Sequence, residues 1–176
     1  MDPKKLIVLA LDPGTTTGWA LYHKSQIISG VVVLDSKRIE GPGMRMVRLE
    51  TFLDRIEMEY GMPTLVIYEE VRQHLGTHAA HFYGAYTGLI QKWCEDRKIE
   101  YTSVPVQTIK AFALGASREK KREKSKEEMI RAANHMFDKK IKDDNEADAC
   151  FILACGMKRD LNIDILQKEG RNNEEN

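Results

Sequence analysis

Leu6-Ile7-Val8-Leu9-Ala10-Leu11-Asp12-Pro13-Gly14-Thr15-Thr16-Thr17-Gly18 is the stretch that decides the fold class. Six consecutive apolar residues cut off by Asp-Pro-Gly read as a strand buried on both faces, the pattern of a central strand covered by helices. A carboxylate at the end of such a strand has no packing reason to be there. Asp-Pro-Gly after a strand is nevertheless most often just a turn. Asp12 therefore becomes informative only in company.

Working outward, Thr15–Tyr22 and Gln26–Leu34 carry β-branched and aromatic residues and read as two further strands. The short connection around His23–Ser25 predicts an antiparallel meander. Gly41-Pro42-Gly43 breaks the chain. Apolar residues then recur at three- and four-residue steps from Met44, predicting a helix that ends near Tyr60-Gly61. Leu65–Tyr68 reads as a fourth strand running into Glu69-Glu70, Thr77–Arg97 as a long helix, and Ile99–Val104 as a fifth strand stopped by Pro105. Val106–Leu114 reads as a short helix. Ile130, Ala133, Met136 and Phe137 form a helical stripe, and Ala147–Met157 a last apolar helix. An order β-β-β-α-β-α-β-α predicts an α/β mixed sheet with helices on its faces. A chain of 176 residues and 20.2 kDa suits one domain, expected over residues 1–158, with a polar tail over 159–176.

Hydrophobic residues at 42% and charged residues at 31% exclude a disordered protein. Lys+Arg and Asp+Glu are 27 each, which excludes a uniformly basic coat. The balance hides segregation: Lys110–Lys142 holds eleven basic and five acidic side chains, and the chain from Asp143 holds four basic and nine acidic. Cys94, Cys150 and Cys155 have no metal-ligand spacing and read as reduced, buried thiols. His74, His78 and His81 lack an evident fourth zinc ligand. The Leu6–Leu11 run is too short for a signal peptide or a membrane span, so a cytoplasmic protein without membrane attachment is expected.

Further acids stand at equivalent places. Glu69 and Glu70 end the fourth strand, and Asp144 and Asp148, four apart, share one face at the start of the last helix. Each has a bland reading: a solvated loop for the glutamates, an N-cap with first-turn acids for Asp143-Asp144-Asn145-Glu146. Together they point to one spot beyond the strand ends. Converging carboxylates repel unless hard divalent cations neutralise them. Two such ions can activate a water and stabilise the leaving oxygen of a phosphodiester, which is the physical case for a metal-dependent nuclease. Phosphate would approach such a site only past flanking cations. The run Arg118, Lys120, Lys121, Arg122, Lys124 and Lys126 supplies them. Phe82, Tyr83 and Tyr86 read as packing or subunit contacts, with stacking on an unpaired base as the minority reading.

The blocks resemble the RuvC family of Holliday-junction resolvases, of the RNase H-like superfamily. Leu9 to Ala20 is similar to the family's strand-Asp-Pro-Gly opening, and Tyr68-Glu69-Glu70-Val71 to its second acidic block, which selects Glu69 over Glu70. Pro105–Lys110, Lys126–Met129 and Asn145–Ala149 resemble the following blocks in the family's order, over roughly residues 5–157. The weak match elsewhere points to a phage member. The resemblance implies a five-stranded mixed sheet, a homodimer, and incision of branched DNA with Mg2+ or Mn2+, two ions per site. Carried over, Asp12, Glu69 and Asp148 would hold the metals. Lys126 and Lys110 would meet the phosphate backbone. Three residues before the last Asp, where the family has an acid or His, stands Asn145. Asp144 is the expected fourth ligand and Asn145 the alternative. Arg72 replaces a stacking aromatic and is expected to stack or bind phosphate. Competing readings are an RNase H cutting RNA/DNA hybrids and a non-catalytic junction binder. An actin-like ATPase is remote, since it needs two lobes and about twice this length.

Overall fold

The computed structural model describes residues 6–37, 39–71, 76–114 and 126–166. Five strands, β1 (Ile7–Asp12), β2 (Thr16–His23), β3 (Gln26–Val33), β4 (Leu65–Glu70) and β5 (Glu100–Pro105), form one sheet in the order β3-β2-β1-β4-β5. The first three strands are an antiparallel meander, and β4 and β5 join parallel to β1. The β2–β3 hairpin closes through Lys24 and Ser25, both at positive φ (50° and 62°), the two-residue geometry that matches strand twist.

The helices are α1 (Met44–Tyr60), α2 (Thr77–Arg97), α3 (Val106–Leu114), α4 (Lys126–Phe137) and α5 (Asp144–Leu161). Because side chains alternate along a strand, β1 serves two cores. Leu9 and Leu11 pack with Leu49, Phe52 and Leu53 of α1 and Ile90 and Trp93 of α2. Val8 and Ala10 pack on the other face with Phe151 and Ile152 of α5 and Met129 of α4. In β4 the parity is reversed: Leu65 and Ile67 face α5, whereas Val66 and Tyr68 face α1 and α2. From Ala149 to Met157 every residue of α5 is buried, so this helix is apolar all round, as one sandwiched between layers must be.

The elements match the sequence reading closely, and the departures have local causes. Asp12 is the last residue of β1, as expected, with Gly18 of β2 opposite it in the ladder. Pro105 does not stop β5 early but pairs with Glu70 as its last residue. α5 starts at Asp144 rather than Ala147, since the Asp143 side chain accepts the Asn145 backbone N–H at 2.9 Å and caps it. Met136, expected in the apolar stripe of α4, is 39% exposed; that helix buries Met129 beside the expected Ala133, with Ile130 and Phe137 packed against the core. The boundary expected at residue 158 falls inside α5, and Ile163 and Ile165 beyond it pack against the core. All three cysteines are free and buried. No helix among the described residues is long and apolar enough to cross a membrane.

Candidate active site

Strand register builds the site. β1 and β4 pair in parallel with Leu11 opposite Tyr68, so Asp12 and Glu69 are the next pair along. Both fall on the α5 face, Asp12 with the parity of Val8 and Ala10 and Glu69 with that of Leu65 and Ile67. Glu70 has the opposite parity. Period-2 alternation thus gives a physical reason to separate the two glutamates.

The third wall is the first turn of α5, and a glycine lets it in. The Asn145 backbone oxygen lies where a Cβ on Gly18 would come within 1.8 Å of it. Gly18 is the partner of Asp12 across the β1–β2 ladder. Its missing side chain therefore lets the helix start sit directly over the strand that carries Asp12. Gly18→Ala should push α5 off the sheet and cost about 1–3 kcal/mol or more. Thermal unfolding measures it, and an unchanged Tm would show that the helix seats elsewhere.

The electrostatics record the convergence. Asp12 is held well above the ordinary carboxylate range, first by burial, then by the charges of Glu69 and Asp148, a hydrogen bond shared with Glu69, and the charge of Asp144. Burial also raises Glu69, opposed by the Asp12 hydrogen bond and by Lys110. Asp148 is pushed up to about 7 by burial, then by Glu69 and Asp144, with Lys110 and Lys126 pulling the other way. Its Oδ1 is buried and, among the described residues, has no hydrogen-bond partner. An orphaned buried carboxylate oxygen is costly.

The exposed Lys126 ammonium pairs with Asp144 at 2.5 Å. The Asn145 side-chain NH2 donates to Asp143 Oδ1 at 2.9 Å, a bond that engages the amide nitrogen and not the oxygen that would be its metal donor. Of the two residues expected to compete for the fourth place, Asp144 is the one in electrostatic contact with Asp12 and Asp148. Among the described residues no group of three or more His, Cys, Asp or Glu is arranged to hold a metal ion as it stands. A side-chain hydrogen bond between Asp12 and Glu69 and the Lys126–Asp144 ion pair offset the repulsion in this arrangement. The donor set still fits a hard divalent cation: all the donors are oxygens, the carboxylates of Glu69, Asp148 and Asp144 all act on Asp12, and one buried oxygen is unmatched.

Lys110 is exposed on α3 and reaches this charge cluster. Arg72, Arg118, Lys120, Lys121, Arg122, Lys124 and His74 lie outside the described residues. His78 and His81 are exposed on α2. Two features of the site were not read from the sequence. One is the Lys126–Asp144 pair, for which no spacing signal exists. The other is the role of Gly18, whose place six residues after Asp12 across a tight turn was a signal of close backbone approach.

No protein-family model matches the chain, and no curated protein matches its sequence. Solved structures do match. Thermus thermophilus RuvC in complex with a Holliday junction substrate superposes with a TM-score of 0.68 at 16% identity, over 88% of this chain and 95% of that one. The chain has the RNase H-like fold of RuvC. A second structure of Thermus thermophilus RuvC gives a TM-score of 0.65 at 17% identity, over 88% and 96% of the two chains. The yeast mitochondrial Holliday junction resolvase Ydc2 gives 0.56 at 12%, over 86% and 78%. The five-stranded mixed sheet and the antiparallel meander expected from the sequence are both present.

Proposed function

We propose that this protein is a metal-dependent endonuclease that resolves four-way junctions or related branched DNA by hydrolysing phosphodiester bonds. The observation that carries the reading is the register-fixed meeting of Asp12 and Glu69 beneath the first turn of α5, with the unmatched oxygen of Asp148 beside them. The RuvC-like fold supports it, because Thermus thermophilus RuvC holds a Holliday junction substrate and Ydc2 is a Holliday junction resolvase.

Asp12, Glu69, Asp148 and Asp144 would hold Mg2+ or Mn2+, two ions per site. Bound there, the ions supply an activated water and charge stabilisation of the leaving oxygen. The chain's own residues do the rest. The β1–β4 register keeps Asp12 and Glu69 side by side without side-chain searching. Lys126 and Lys110 offset the charge of the acids and meet the phosphate. The basic segment from Arg118 to Lys126 extends that contact along the backbone, mostly without reading sequence. A two-fold branched substrate is matched by a homodimer.

The test is incubation with a four-way junction, a matched duplex and an RNA/DNA hybrid, in Mg2+ and in EDTA. Paired symmetric nicks on the junction alone, only with Mg2+, are expected. Cutting of the hybrid would make the protein a ribonuclease, and binding without cutting would make it a junction binder.

Lys126 has two partners to choose between, Asp144 and phosphate. Lys126→Ala should slow cutting and, without DNA, tighten Mn2+ binding a few-fold by releasing Asp144. Calorimetric titration with Mn2+ checks this; weaker Mn2+ binding would remove Asp144 from the ligand set.

A further inference from the structure

Behind the carboxylates, on the α2 side of the sheet, is a cavity of about 320 Å3. Its floor is Pro13 and Gly14, which follow Asp12 directly, and Val71, two residues after Glu69. Its wall is Phe82, Tyr83 and Tyr86 of α2. The Asp12-Pro13-Gly14 turn is therefore shared, with the acids on one side and the aromatic cavity on the other.

The wall is rigid. The Tyr83 hydroxyl donates to the Glu69 carbonyl at 2.7 Å and accepts the Val71 N–H at 3.0 Å, tying α2 to the end of β4. Phe82 stacks on Tyr86 with ring centroids 6.4 Å apart and planes 29° apart. The Arg45 guanidinium lies 4.4 Å from the Phe82 centroid and is itself anchored by Asp35 at 2.6 Å. Two polar groups at this wall are left over. The Tyr86 hydroxyl and the Arg45 Nε are both buried and, among the described residues, lack a well-formed hydrogen bond. The Arg45 cation is close enough to act on the Tyr86 hydroxyl, and a ligand edge could relieve the cost of the unmatched groups.

The volume is at the small end of the ~300–1,000 Å3 range of ligand pockets, room for one planar group. Among the described residues no charged side chain lines it, which argues against phosphate or carboxylate. Aromatic walls are the surface on which nucleobases stack. Resting on the nuclease reading above, we propose that this cavity takes one unstacked base of the DNA, from a nucleotide next to the cleaved phosphate, with the Tyr86 hydroxyl meeting its edge. Seating the base would turn the neighbouring phosphate over the Asp12-Pro13-Gly14 ridge towards the acids. Cutting would then favour sites where a base leaves the stack cheaply, as at a branch point.

The experiment is a double-mutant cycle on the intact protein. Junctions carrying a single abasic nucleotide, walked through the positions around the crossover, are compared for binding in Ca2+ and single-turnover cutting in Mg2+. Wild type is measured against Phe82→Ala and Phe82→Leu, the latter keeping an apolar side chain if the former fails to fold. One abasic position should weaken wild-type binding roughly five- to a hundredfold and add little in the Phe82 variants. Tyr86→Phe should fold normally and lose base preference at that same position. Additive losses at every position overturn the pocket, even if junction cutting is normal. A Phe82 variant that changes subunit assembly while the losses stay additive overturns it too, in favour of a subunit contact. Failure to bind or cut any branched DNA refutes instead the nuclease reading on which the pocket rests.

Discussion

Asp12→Asn is expected to abolish junction cutting, by at least about 10²–10³-fold, while junction binding survives and the fold becomes more stable. The three outcomes have one cause. Asp12 sits where Glu69, Asp148 and Asp144 all act to keep it from ionising. An amide of the same shape is neutral in the unfolded chain too, so folding no longer has to bury and protonate an acid there, and the ligand that the chemistry needs is lost. Relief of even 1 kcal/mol raises Tm by about 2–4 °C in a protein of this size. Loss of activity with gain of stability is the signature of a functional residue in a strained place, whereas a packing residue would lose both. Parallel assays of cutting, junction binding and thermal unfolding test it. Undiminished cutting would end the assignment of Asp12 to the reaction.

The second large effect couples protons, cations and stability. Asp148, pushed up to about 7, and Asp12, raised well above its ordinary range, keep protons in the folded protein that the unfolded chain releases near pH ~4. The folded state therefore binds more protons than the unfolded state across that window, and stability falls as pH rises through it. Cation-free protein should melt lower at pH 8 than at pH 5, opposite to the behaviour of carboxylates in salt bridges. Mn2+ or Mg2+ should reverse this. At a hundred times its Kd a ligand adds about 2.7 kcal/mol, or roughly 5–10 °C in Tm. The gain should be largest at pH 8, because protons compete for the same oxygens, and small in Asp12→Asn. Cutting should rise with pH through about 7 as Asp148 ionises. Melting curves at the two pH values, with and without Mn2+, suffice; a Tm indifferent to the cation at pH 8 would sink the metal site.

The order and kind of the elements, and the strand-end positions of Asp12 and Glu69, were determined by the sequence alone. Leu6–Leu11 read as a buried central strand from its shortness and the Asp-Pro-Gly that ends it, and the three- and four-residue steps after Met44 as an amphipathic helix, because periodicity and turn chemistry are local properties of the chain. Separating Glu69 from Glu70 by resemblance agreed with their strand parity, but the parity argument needed the β1–β4 register. Only the tertiary structure decided that. It also decided that Gly18 admits the start of α5, that Lys126 holds Asp144, and that aromatic residues of α2 close a cavity against the turn after Asp12. Each is a contact between segments distant in sequence. Such contacts follow from how layers stack and how strands align, and no window of neighbouring residues contains that information.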